Sequence, residues 1–239
     1  MSIDSLLDKI RRKKNPSVAG LDARVEYIPQ QIIDKNIALY GKTLKAAAES
    51  VYDFNTGLID ALCDIVPAVK PQSAYYELLG PDGVAVLKKT IDYAHSKDMY
   101  VITDAKRNDI GATASAYAEA YFGSVSFGGE ELTPFGTDGL TVNAYLGSDG
   151  INPFIKFCNE QNKSIFILAK TSNKSSYEFQ ELIVGSRSIY QVIASQIDRW
   201  GADCIGKYGF SNVGAVVGAT HPRQLKELRD MYPKMFFLV

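Results

Sequence analysis

Short apolar runs of strand length recur along the chain, and longer segments with the period of an α-helix separate them. Strands that are apolar on both faces and alternate with helices are typical of a parallel sheet covered by helices, so the pattern predicts an α/β protein. The apolar runs predict seven strands, at 17–22, 67–71, 100–106, 139–144, 164–170, 213–219 and 235–239. The helical periods predict six helices, at 43–63, 83–96, 113–121, 152–161, 188–200 and 222–231.

The number of strands favours a (β/α)8 TIM barrel, for which about 250 residues are typical. The competing α/β fold is a doubly wound open sheet, but no predicted strand leads into the GxGxxG turn that is usual there. The last predicted strand stops where the chain ends. We therefore expect one TIM-barrel domain over 1–239 that lacks its last βα unit of roughly 30 residues.

Composition and charge narrow the class of protein without naming a function. The 26 basic and 27 acidic residues nearly cancel, which gives no bulk attraction to nucleic acid or to a membrane surface. No apolar run approaches the ~20 residues that a membrane span needs. The three widely spaced cysteines form no CxxC pair, and the first residues do not resemble a secretory signal. We expect a cytoplasmic protein with free thiols that binds neither nucleic acid nor membranes.

Polar side chains stand where five successive predicted strands end, which is where a β/α barrel has its active site. Buried charges cost several kcal/mol unless they pair or bind a ligand, so this rim predicts a site. An ion pair that closes the barrel rim remains the structural alternative, as do a snorkelling role for Lys70 and a helix-cap role for Asp22. The residues are Asp22, Lys70, Asp104, Lys106, Asn143, Lys170, Thr171 and Ser172.

The third strand carries the densest cluster, in the segment VITDAKRNDIGATASAYA. The alternation of a strand places Asp104 and Lys106 on the same face as Ile102, and Asp109 follows in the turn before the next helix. A neighbouring carboxylate favours the ammonium form of a lysine, whereas desolvation opposes it. The Gly- and Ala-rich residues that follow permit the close approach of another backbone or subunit.

The segment DAKRNDIGATASAYA resembles the signature of the orotidine 5'-phosphate decarboxylase family, in its second, bacterial-type subfamily. The DxKxxD core is shared with related phosphosugar enzymes, so it is the ordered set of segments that makes the resemblance specific. Five more segments extend it over nearly the whole chain: AGLDAR, VKPQSAYYE, TVNAYLGSDG, LAKTSN and VGAVVGATHP.

This resemblance implies the conversion of orotidine 5'-monophosphate to uridine 5'-monophosphate and CO2, the last step of uridine 5'-monophosphate synthesis, without metal or cofactor. It implies that Lys106 is the proton donor to C6 of the pyrimidine. Lys70, Asp104 and Asp109 would complete an alternating Lys-Asp-Lys-Asp network. A lysine fixed at C6 would stabilise the carbanion left by CO2 and then protonate it.

The resemblance also implies the substrate contacts and a homodimer. Asp22 would bind the ribose, and Thr171 and Ser172 the pyrimidine. Asn143, at the end of strand four, is a further substrate-binding candidate. Asp109 would act in the partner subunit's site, together with Ile110 and Thr113.

The sequence departs from the family after the segment MFFLV. Family members continue there with a PGxGxQ loop and a GR turn that grip the 5'-phosphate. Binding energy from a remote phosphate commonly drives closure of the active site and raises turnover. We therefore expect that a chain ending at Val239 has poor activity and that the natural protein is longer.

Two other functions stay open. A Mg²⁺-dependent phosphosugar decarboxylase or aldolase of the same superfamily would have an acidic residue on strand two, where this chain has VKPQ. A non-catalytic nucleotide-binding barrel would have no reason to keep all four charges of the network.

Overall fold

A computed structural model describes residues 2–239. All seven predicted strands and all six predicted helices are present within a few residues of their predicted bounds, which confirms the α/β class. In chain order the elements are α1 Ser2–Lys13, β1 Val18–Leu21, α2 Gln30–Tyr40, α3 Leu44–Leu62, β2 Ala68–Pro71, α4 Ser73–Glu77, α5 Gly80–Ser96, β3 Tyr100–Arg107, α6 Gly111–Phe122, β4 Val125–Phe127, β5 Glu130–Leu132, β6 Gly139–Val142, α7 Ser148–Glu160, β7 Ser164–Lys170, α8 Tyr177–Gln180, β8 Ile183–Val184, β9 Arg187–Ser188, α9 Ile189–Trp200, β10 Val213–Val217, α10 Pro222–Met231 and β11 Phe237–Leu238, with 3-10 turns at Val25–Tyr27 and Lys174–Ser176.

The described chain divides into two compact units. The first unit contains Ser5–Ala105 and Ser124–Asp138, and the second contains residues 2–4, Lys106–Gly123 and Gly139–Val239. The prediction of a single domain over 1–239 stays a prediction.

In the first unit, β1, β2 and β3 are neighbouring parallel strands, with Gly20 opposite Lys70 and Ala68 opposite Tyr100. The helices α3 and α5 cover this sheet, and their buried side chains include Ile59 and Ile91. Burial of such apolar side chains stabilises the fold by about 1.5–3 kcal/mol each. This packing holds the carboxyl ends of β2 and β3 side by side.

In the second unit, β6, β7, β10 and β11 pair in that order, and every pair is parallel. Phe166 of β7 is buried, and so are Phe154 of α7 and Ile197 of α9. This sheet places the ends of β6 and β7 on one edge.

Besides α1, seven elements have no counterpart among the predicted strands and helices: α2, α4, α8, β4, β5, β8 and β9. The three cysteines are free thiols, as predicted. Among residues 2–239, no helix has the length and apolar character that crossing a bilayer requires.

Candidate active site

The first unit brings together Lys70 and Asp104, two members of the predicted charge network. Lys70 Nζ lies 2.9 Å from Asp104 Oδ2, and Asp104 is 8% exposed. The backbones of Gln72 and Asp104 form a parallel bridge, and Gln72 Nε2 donates to the same carboxylate oxygen at 2.9 Å. Charge-assisted bonds of this kind are about twice as strong as neutral ones, so the carboxylate is held in one orientation.

Asp22 lies exposed just beyond β1 in the same unit. The 3-10 turn that follows begins after Arg24 and has no side-chain cap, so the helix-cap role that was open for Asp22 finds no support. A Cβ at Gly20 would lie 3.6 Å from Asp22 Oδ1. Burial raises the pKa of Tyr76 far above its usual range, and the negative charge of Asp22 adds to that effect.

In the second unit, Lys106 has an exposed side chain on a left-handed backbone, with φ of 51°. Its N–H donates to the buried hydroxyl of Thr141 at 3.0 Å. The positive φ at Lys106, near the end of β3, interrupts the alternation of the strand, so alternation does not set the direction of this side chain. A left-handed non-glycine residue costs about 1–2 kcal/mol, and such strain is concentrated at functional sites.

Asp109, Ile110 and Thr113 lie together at the start of α6. Asp109 Oδ1 accepts the N–H of Ile110 at 2.8 Å, and Ile110 is 58% exposed. Thr113 is exposed in the first turn of the helix. The structure thus places all three residues on one accessible edge of the second unit.

The turn between β3 and α6 packs closely against β6 and α7. Asn108 Nδ2 donates to the carbonyl of Asn143, and the N–H of Asn143 donates to the carbonyl of Arg107 at 3.0 Å. A Cβ at Gly150 of α7 would lie 2.7 Å from the Asp109 carbonyl oxygen. Only glycine fits at this position without a shift of the turn.

Thr171 and Ser172 follow β7, and the side chain of Gln180 holds Thr171. Gln180 Oε1 accepts the Thr171 N–H at 2.9 Å, and Gln180 Nε2 lies 2.7 Å from Thr171 Oγ1. Ser172 is exposed. Lys170 is fully buried, and Glu181 is its ion-pair partner at 2.8 Å, which fits a structural role for this lysine.

Sequence analysis missed four residues that shape the site. Gln72 stands two positions after Lys70, so strand alternation could have assigned it to the Asp104 carboxylate. Thr141, Gly150 and Gln180 act through tertiary contacts that leave no local signal. Within residues 2–239, no group of three or more His, Cys, Asp or Glu side chains is placed to hold a metal ion.

The sequence profile of the orotidine 5'-phosphate decarboxylase / HUMPS family matches residues 48–237. The chain belongs to this family. Proteins named orotidine 5'-phosphate decarboxylase from Caldicellulosiruptor bescii and Rhodopirellula baltica are 39% and 41% identical to it. The first alignment covers 99% of this chain and 77% of the relative, and the second covers 96% and 74%.

A solved structure of a related decarboxylase shows that the similarity extends to the three-dimensional fold. The OMP decarboxylase of Leishmania donovani aligns with a TM-score of 0.78 and 31% identity, over 100% of this chain and 78% of that one. The α/β TIM-barrel fold class predicted from the sequence is thereby confirmed.

Proposed function

We propose that this family member is a carboxy-lyase that converts orotidine 5'-monophosphate to uridine 5'-monophosphate and CO2 in pyrimidine nucleotide synthesis. The observation that carries the proposal is the 2.9 Å ion pair between Lys70 and Asp104, the first residue of the DxKxxD segment, in a chain whose relatives bear the decarboxylase name. Lys106 and Asp109 of the same segment supply the remaining charges of the predicted Lys-Asp-Lys-Asp network.

In this reaction, the bond between C6 and the carboxylate carbon breaks and its electron pair stays on C6. The Lys106 ammonium stabilises the developing negative charge by preorganised electrostatics. It then gives a proton to C6 and regains one from solvent. Lys70 and Gln72 hold the Asp104 carboxylate in place, so the charge beside Lys106 in sequence does not reorient during the step.

The substrate contacts follow the positions of the candidate residues. The exposed Asp22 carboxylate binds ribose hydroxyls, and Thr171 and Ser172 contact the pyrimidine. Asn143 is a further substrate-binding residue. The reaction needs no metal or cofactor, and the protein works in the cytoplasm without nucleic acid or membrane partners.

The active form is a homodimer in which Asp109 enters the partner subunit's site. Ile110 and Thr113 lie on the same exposed edge, and an exposed isoleucine beside glycine and alanine is suited to a close contact between subunits.

The proposal predicts that Lys106→Ala lowers turnover of orotidine 5'-monophosphate by about 10³-fold or more. General acid catalysis typically contributes about 10²–10⁴-fold to the rate, and one electrostatic donor contributes about 10²–10³-fold. Ultraviolet absorbance in excess EDTA measures the loss of substrate. Lys156→Ala is the matched control, because Lys156 is exposed on α7.

Turnover that survives EDTA, persists in the control and disappears in Lys106→Ala supports the proposal. Full activity of Lys106→Ala would overturn it. Loss of wild-type turnover in EDTA, restored by Mg²⁺, would point instead to the metal-dependent phosphosugar chemistry.

A further inference from the structure

Tyr145 has the most exposed large apolar side chain in the described part of the chain, at 86%. Tyr145 and Leu146 are the two central residues of a turn between β6 and α7. The N–H of Gly147 closes this turn on the carbonyl of Ala144 at 2.9 Å. Asn143 Oδ1 accepts the N–H of Tyr145 at 3.0 Å, an arrangement by which asparagine stabilises a turn. The exposed ring is therefore carried by a fixed turn.

This turn meets the segment that carries Asp109, within the second unit. A Cβ at Gly150 of α7 would lie 3.6 Å from the Leu146 Cβ and 2.7 Å from the Asp109 carbonyl oxygen. Ile110 follows Asp109 directly and is 58% exposed, and Leu146 is 45% exposed. Ile110, Tyr145 and Leu146 are thus exposed apolar residues of two segments that pack on the same glycine. We call these three side chains the Tyr145 patch.

The Tyr145 patch has the composition of the centre of a protein interface. None of its three side chains is acidic or basic, and neither is any side chain from Asn143 to Ser148. Interface centres are depleted in charged residues and enriched in tyrosine. In a two-fold dimer the same surface of both subunits takes part in the contact, so a surface of one charge would repel its copy. An uncharged apolar patch carries no such penalty.

We propose that the Tyr145 patch is the apolar core of the interface with a second copy of this chain, and that Tyr145 is its anchor. The inference rests on the proposed function, in which Asp109 acts in the partner subunit's site. Since Asp109 reaches into the other subunit, the side chains beside it lie in the contact. Tyr145 has the most surface to bury of the three, and a tyrosine on a fixed turn loses little conformational freedom on binding.

Sedimentation equilibrium over a range of protein concentrations measures the dissociation constant of the dimer in each variant. Loss of an interface anchor typically weakens association by about 30-fold or more, so the dissociation constant of Tyr145→Ala should rise by that factor. Tyr145→Phe keeps the ring and should retain most of the affinity. Phe127→Ala is the matched control, because Phe127 is 75% exposed on β4 and is not part of the patch. Its dissociation constant should equal that of wild type.

Turnover of orotidine 5'-monophosphate at a series of enzyme concentrations distinguishes an interface residue from a substrate contact. Because each site needs Asp109 of the other subunit, Tyr145→Ala should lose turnover per subunit when it is diluted below its dissociation constant. It should regain wild-type turnover above that concentration. Tyr145 is 86% exposed, so its truncation removes little packing within the subunit. Turnover that stays equally low at every concentration would contradict an interface role.

The outcomes separate the inference from the function on which it rests. Wild-type protein that is monomeric at every concentration overturns the inference and the proposed dimer together. A wild-type dimer whose dissociation constant is unchanged in Tyr145→Ala, or is raised equally in Phe127→Ala, overturns the inference alone. A dimer that only Tyr145→Ala weakens, and that does not turn over orotidine 5'-monophosphate, overturns the proposed function and supports the interface.

Discussion

Lys106 and Asp109 owe their placement to neighbours that are far away in the sequence. The left-handed backbone of Lys106 is held by Thr141, and the Asp109 carbonyl is in close contact with α7 at Gly150. At Lys106, the local backbone preference and tertiary packing disagree, and tertiary packing decides. Such disagreement is expected at functional sites, where strain is retained for its effect on chemistry.

Gly150→Ala tests how much activity depends on that contact. The added methyl group would lie 2.7 Å from the Asp109 carbonyl oxygen and 2.8 Å from Asn108 Nδ2, so the turn must move. Overpacking costs about 1–3 kcal/mol, which exceeds the gain of up to ~1 kcal/mol from replacing glycine in a helix. The shift of the turn would also misplace Asp109, and a misplacement on the order of 1 Å lowers kcat by roughly 10- to 100-fold.

Gly57→Ala is the control for this substitution, because Gly57 lies inside α3 with nothing within 4 Å of the added methyl group. It should stabilise the protein by about 0.5–1 kcal/mol in urea unfolding and leave kcat unchanged. An equal gain in stability and full activity in Gly150→Ala would show that the turn is not held by this contact.

At the scale of elements, the ion pairs of Asp98 fasten α1 to the turn between α5 and β3. Lys9 and Arg12 of α1 both contact the Asp98 carboxylate, and their hydrogen bonds lower its pKa. Because the folded-state pKa is lower than the unfolded value of about 3.9, the stabilisation is complete above that value and is lost as pH falls through the folded-state pKa. The side chain is 64% exposed, so the effect is only about 0.2–1 kcal/mol.

Asp98→Asn removes the charge while keeping a residue that tolerates the φ of 54° at this position. Urea unfolding at a series of pH values should show wild-type protein more stable than Asp98→Asn at pH 7, with the difference shrinking as the pH falls below about 3.9. Asp64→Asn, exposed in the turn after α3, should show no such difference. A constant gap between wild type and Asp98→Asn at every pH would exclude an electrostatic cause.

The elements found from sequence are those whose burial follows a period. Each predicted strand pairs in parallel with another predicted strand of its unit, and each predicted helix has at least one buried apolar side chain. The helix α2 was missed because its apolar residues do not all face one side: Ile32 and Ile33 pack on the core while Leu39 is 63% exposed. The hairpin strands β4 and β5 are exposed at every residue, so they have no alternation to detect.

The same limit applies to the candidate site. The strand ends predicted that Lys70 and Asp104 lie at the same rim, and the family resemblance placed them in one charge network; in the structure the two side chains are 2.9 Å apart. The hydrogen bonds between Gln180 and Thr171 span nine residues across an irregular loop, where no period relates the two positions. The roles of the site residues in catalysis stay predictions that the kinetic measurements test.

At the scale of the whole molecule, the proposed dimer determines whether an isolated subunit can be active. If Asp109 acts in the partner subunit's site, each site combines Lys106 of one subunit with the carboxylate of the other. A closed two-fold arrangement then has two equivalent sites, and neither is complete in an isolated subunit.

Mixing two inactive variants tests that arrangement. Homodimers of Lys106→Ala and of Asp109→Ala each carry the same lesion in both sites, so both should be inactive. A mixed dimer places both lesions in one site and leaves the other site intact. If equal amounts exchange subunits at random, half of the dimers are mixed and each has one working site, so turnover should return to about a quarter of the wild-type value. A mixture that stays inactive after subunit exchange, demonstrated with differently tagged chains, would place Asp109 in the same subunit's site as Lys106 or outside the site altogether.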